Sequence, residues 1–95
     1  MLPFIRCKWF IPIYKDKDDK EYIALGSDGA FYSEYVRRDK FRETILMVAN
    51  HKHNDNKPVA VYEISQGQFW DLDWHKPEVL RKQGYLVYEN GCRGF

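Results

Sequence analysis

FIRCKWFIPIY, residues Phe4–Tyr14, is the stretch whose reading decides the fold. Ile5, Cys7, Trp9, Ile11 and Ile13 share one parity, and Arg6 and Lys8 share the other, so the stretch reads as a β-strand. Pro12 lacks a backbone donor, so this strand lies at a sheet edge or stops pairing there. Lys15–Lys20 follows, an all-charged run of mixed sign that suits an exposed hairpin tip. Glu21–Leu25 is then the partner strand, closed by the turn signal Gly26-Ser27-Asp28-Gly29. Ala30–Val36 fits either a third short strand or an early helical turn capped by Ser33.

Downstream, the period changes. Phe41, Ile45, Val48, Ala49 and Lys52 recur at helical spacing, with Leu46 widening the stripe, so a helix is predicted from Asp39 to about Lys52. Asp39 is its expected N-cap. His51, Lys52 and His53 fall where the helix dipole favours cations. Asn54 to Pro58 ends the helix, because proline disfavours helical geometry in the residue before it. Pro58–Ser65 alternates again as a strand, with Ala60, Tyr62 and Ile64 placed toward the core. Gln66-Gly67-Gln68 is read as a loop. Pro77 suits the first turn of a short helix to Gln83, with Gly84 as a left-handed cap. Tyr85–Tyr88 is a last strand before the Asn90-Gly91 turn. Should it lie parallel to the strand at Val59, the crossover between them would be right-handed. The expected order is β-β-α-β-α-β. It gives one α+β domain over residues 1–95, with a mostly antiparallel sheet of about four strands and one main helix on one face.

The chain has 95 residues, 15 basic and 14 acidic, for a net charge of +1. With 44% hydrophobic residues it is too apolar for a disordered tail. Its balanced charge excludes a nucleic-acid binder that works by bulk charge alone. No run approaches the ~20 apolar residues of a membrane span. The start does not read as a secretory signal, because Arg6 and Lys8 interrupt the apolar run. A cytoplasmic location follows as the expectation. Cys7 and Cys92 are then expected reduced, although they would meet if the terminal strands paired. Neither C-x-x-C nor the cysteine count supports a structural zinc site.

Four groups of residues carry chemistry that can be weighed. His51, His53 and Asp55 have metal-ligand types and would serve a metal-dependent enzyme, a third reading. Set in an Asn-rich loop, they show no supporting shell and are expected to be a solvated helix end. Nucleophile signatures are absent: no G-x-S-x-G, P-loop or G-x-G-x-x-G occurs. A thiolate pair of Cys7 or Cys92 with a histidine would need an adjacency that the sequence does not show. Asp71 and Asp73 as a catalytic carboxylate pair would need a pocket that so short a chain has little room for. The chain is therefore not expected to be an enzyme or to need a cofactor.

Arg37, Arg38, Lys40 and Arg42 form the densest basic stretch. They could contact phosphates, with Tyr32 and Tyr35 stacking on bases. Glu34, Asp39 and Glu43 partly neutralise them. Nucleic-acid binding is accordingly the second reading, not the first.

Phe69-Trp70-Asp71-Leu72-Asp73-Trp74-His75 decides between the readings. Trp70 and Trp74 would share a face in a helix or in a strand. With Asp71, Asp73 and His75 as polar rim they have the make-up of an interface hot spot. The alternative is that both indoles cover the core. Supply tips the balance: 16 aromatic side chains exceed what a small interior encloses, so some should face water. The expectation is a small non-enzymatic protein-binding module, acting on a protein partner or by self-association. Compact inhibitors or adaptors of the phage type, which cover a surface of a host enzyme or defence complex, are one such class.

Overall fold

The computed structural model describes residues 4–5, 8–24, 31–33 and 36–89. Its strands are β1 (Phe4–Ile5), β2 (Lys8–Lys15), β3 (Glu21–Tyr22), β4 (Phe31–Ser33), β5 (Val36–Arg37), β6 (Ala60–Ser65) and β7 (Tyr85–Glu89). Three helices accompany them: α1 (Arg38–Ala49), α2 (Gln66–Asp71) and α3 (Pro77–Gln83). The main sheet runs β3-β2-β6-β7, with β4 also on β2, and every pairing is antiparallel. The α+β class with a mostly antiparallel sheet is thus what the structure shows. β1 pairs antiparallel with β5 in the same register in which β2 pairs with β4, and residues 6–7 and 34–35 between these pairs lie outside the described residues. β6 and β7 are antiparallel neighbours, so no parallel crossover joins them.

β2 is the central strand despite Pro12, and the hydrogen-bond parity explains how. The Val59 amide donates to the Ile13 carbonyl at 2.7 Å, and the Asp16 amide donates to the Lys20 carbonyl at 2.9 Å. Odd residues therefore bond toward β6 and even residues toward β3 and β4. The missing Pro12 donor faces the gap between β4, which pairs with residues 8–10, and β3, which pairs with residues 14–15. The hairpin tip is polar as expected. Asp16 Oδ1 accepts from the amides of Asp18 and Lys20, each at 2.9 Å, and Asp19 takes the left-handed φ of 67°.

Both faces of the sheet are covered. Phe10 and Val61 pack under Ile45, Val48 and Ala49 of α1. On the opposite face, Ile11, Ile13, Ala60, Tyr62 and Ile64 pack with Trp74 and with Leu80 of α3. Each fully buried aliphatic side chain contributes about 1.5–3 kcal/mol of transfer free energy. The main helix therefore lies on the Val61 side, and the Ala60 set is buried beneath the shorter helices.

The helices also begin and end differently from the expectation. α1 starts at Arg38, which places Asp39 within the first turn instead of at the N-cap, and it ends at Ala49. There the Asn50 side-chain amide donates to the Leu46 carbonyl at 2.8 Å, and Tyr14 Oη donates to the His51 carbonyl at 2.9 Å. Hence His51, Lys52 and His53 lie beyond the helix. Residues 66–68 are helical, not loop, because Ser65 caps α2. Gly84 closes α3 at φ −84°, so it is no left-handed cap. Its role is steric: a Cβ there would meet the Leu80 carbonyl oxygen at 2.8 Å.

Arg81 of α3 locks the helix to the sheet hairpin. Its Nε and Nη2 donate to the two Glu21 carboxylate oxygens at 2.9 and 2.6 Å, and Nη1 donates to Tyr62 Oη at 3.1 Å. These hydrogen bonds hold the Glu21 carboxyl below its ordinary value of 4.5, against an opposing push from burial. Among the described residues no helix is long and apolar enough to cross a membrane. Cys7, Cys92 and the turns at Gly26–Gly29 and Asn90-Gly91 lie outside the described residues.

Candidate protein-binding surface

α2 exists because Ser65 and Gln68 form a reciprocal capping box. Ser65 Oγ accepts from the Gln68 amide at 3.1 Å, and Gln68 Oε1 accepts from the Ser65 amide at 3.0 Å. Gln68 Nε2 also donates to the Gln83 carbonyl at 3.2 Å, tying α2 to the end of α3. Trp9 Nε1 donates to Gln66 Oε1 at 2.8 Å, which fixes the first residue of α2 to β2.

From this scaffold a file of rings runs outward. Phe69 stacks on Trp9 with centroids 3.7 Å apart and on Trp74 at 5.3 Å. Trp74 in turn stacks on the exposed His75 at 3.9 Å. Trp70 leaves this file. It meets Phe69 edge-on at 5.2 Å and 85°, and its side chain is 71% exposed.

The two tryptophans that were expected to share a face are therefore separated: Trp74 is only 8% exposed and belongs to the core. The cause is local. The helix stops at Asp71, Leu72 turns extended at φ −85° and ψ 149°, and a turn follows at Trp74. Neither period runs unbroken from residue 70 to 74. Asp71, Asp73 and His75 are exposed. Asp73 pairs with Lys76 at 3.3 Å, with both side chains more than half exposed, so water screens the pair.

Of the basic stretch, Arg37 closes β5, and Arg38 and Lys40 fall in the first turn of α1. Their side chains lie outside the described part, and Arg42 is exposed. The histidine cluster is not gathered. His53 pairs with Asn56 across a two-residue turn in which Asn54 and Asp55 take φ of 52° and 67°. Its Nδ1 lies 3.0 Å from Tyr22 Oη, and its ring lies 5.5 Å from those of Tyr14 and Tyr22. Asp55 points from the turn tip into solvent. Among the described residues no three His, Cys, Asp or Glu side chains come close enough to hold a metal.

A shallow hollow of about 330 Å³ lies elsewhere, between α2, the end of α3 and β7. Its walls include Lys8 and Glu63, which are already joined by an ion pair at 2.9 Å, and Tyr85. Sequence reasoning missed the helix that presents Trp70. The signal was present as Ser65-x-x-Gln68 immediately before Phe69-Trp70. Compared with known protein families, with curated proteins and with solved structures, the chain matches none.

Proposed function

We propose that the chain is a small non-enzymatic protein-binding module, an inhibitor or adaptor that covers a surface of a larger partner in the cytoplasm. A phage-type inhibitor of a host enzyme or defence complex is the form this reading takes most concretely. The observation that carries it is Trp70, an indole 71% exposed on a scaffold that does not need it for burial. Large rigid aromatics ringed by polar groups dominate binding energy at protein interfaces. Holding one in water on a capped, ring-stacked helix lowers the ordering cost of binding. Asp71, Asp73 and His75 supply the rim, while Trp74 acts as the support beneath instead of as a second anchor.

The test is affinity purification of the tagged chain from its native host, in parallel with Trp70→Ala, at low and high salt. A protein retained by the wild type and lost with the variant supports the reading, and moderate salt should change its recovery little. Recovery of nucleic acid that falls steeply with salt would instead support the basic stretch around Arg37–Arg42. Equal recovery of every partner by both chains would end the assignment of Trp70.

A further inference from the structure

We infer that α2 is a strap that lifts from the sheet as one unit while the rest of the fold stays closed, and that the Gln68 side chain is its latch. The reason lies in how α2 is held. None of the six residues Gln66–Asp71 is buried, and so short a helix is not stable alone. Two polar side-chain ties join it to the rest of the fold, both open to water. Trp9 Nε1 donates to Gln66 Oε1 at 2.8 Å, and Gln68 Nε2 donates to the Gln83 carbonyl at 3.2 Å. Its apolar tie is the Phe69 ring, itself partly exposed and stacked on Trp9 and Trp74. Segments with few buried contacts and exposed hydrogen bonds open at far lower free energy than the core they rest on.

Both ends of the strap are anchored, which makes the motion a swing on two joints and not an unravelling. Ser65 is the last residue of β6, and Trp74 is 8% exposed, packed in the core with Leu80. Leu72, already extended at φ −85° and ψ 149°, is the joint at the far end. Lifting α2 breaks both side-chain ties together, draws Phe69 off Trp9 and carries Trp70 with it. The strap thus sets how Trp70 is displayed, and it does so whether or not Trp70 meets a partner.

The test is native-state hydrogen exchange by nuclear magnetic resonance on the full ¹⁵N-labelled chain. It follows the Gln68 and Leu72 amides, which donate to Ser65 Oγ and to the Gln68 carbonyl, together with the Trp9 indole N–H and the amides of β2 and β6. The first three should share one opening constant, larger than that of the sheet and less sensitive to urea, because little surface is exposed. Two variants separate local from global opening. Ile45→Val thins the core on the opposite face of the sheet. It should raise the opening constants of β2 and β6 by about fivefold and leave those of α2 and Trp9 unchanged. Gln68→Glu keeps the acceptor of the capping box but removes the donor to Gln83, and should raise the α2 and Trp9 constants together by about fivefold. α2 protons that rise with the sheet in Ile45→Val would mean that the helix opens only when the domain unfolds, which overturns the inference. So does a Trp9 indole that stays closed while the α2 amides open, or a set of α2 constants that ignores Gln68→Glu.

Discussion

Truncating the two tryptophans of the 69–75 segment should separate them sharply. Trp74 is 8% exposed and stacks on Phe69 and His75. An indole sealed to this degree withdraws about 200 Å² from water, roughly 5 kcal/mol before allowance for a compact unfolded state. Trp74→Ala should therefore cost about 3–5 kcal/mol. Trp70 gives up little burial and loses one edge contact with Phe69, so Trp70→Ala should cost about 0.5–1 kcal/mol. The assay is equilibrium urea unfolding followed by circular dichroism. With a slope of about 1.3 kcal/mol per molar, Trp74→Ala moves the midpoint down by roughly 2–4 M, and Trp70→Ala moves it by under about 1 M. A domain of 95 residues holds about 5–14 kcal/mol in all, so Trp74→Ala could leave the chain partly unfolded. Trp74→Phe guards against that outcome, because it keeps a ring in the stack and should recover about half of the loss. Equal costs for Trp70→Ala and Trp74→Ala would refute the division into anchor and support.

Three further outcomes follow from the same contacts. Ser65→Ala removes half of the capping box and should destabilise by about 1 kcal/mol in urea unfolding, with faster amide exchange confined to residues 66–71. Gly84→Ala drives a Cβ to within 2.8 Å of a backbone oxygen and should cost about 1–3 kcal/mol in thermal unfolding, whereas Gly67→Ala, whose Cβ would meet only Ser65 Oγ at an ordinary contact distance of 3.9 Å, should cost far less. The folded Glu21 carboxyl lies below its ordinary value of 4.5, so its pairing with Arg81 contributes stability at neutral pH and loses it as pH falls from that value through the lower folded one. Glu21→Gln should flatten that part of the stability profile, on the acid side of 4.5, and leave the rest unchanged.

Much of the fold was readable because period and turn chemistry agree. The strand at Lys8–Lys15, the helix stripe of Ile45, Val48 and Ala49, the Pro77 helix and the Tyr85 strand all stand close to their expected places. Coverage of both sheet faces was also written in the sequence. Trp9 to Tyr14 is apolar on both parities, which marks a strand buried on both sides, and Arg6 and Lys8 hid that by suggesting one polar face. The end of α1 was not readable from periodicity, since an Asn50 side-chain bond and a distant tyrosine hydroxyl settle it. At the candidate site, Trp70 is exposed as expected, whereas Trp74 is buried. Either regular period would have aligned them, but the chain changes period at Leu72. The supply argument was only partly right. Among aromatics whose burial is described, Trp70 and Tyr85 alone are exposed, because two faces of one sheet enclose more rings than one.

The sharpest measurement is photo-crosslinking in the native host with p-benzoylphenylalanine placed at position 70 or, as a control, at Lys17 of the exposed hairpin tip. Position 70 should yield one discrete adduct with a protein that the Lys17 position does not capture. No adduct at position 70, or the same adducts from both positions, would contradict the claim that Trp70 is where this chain meets its partner.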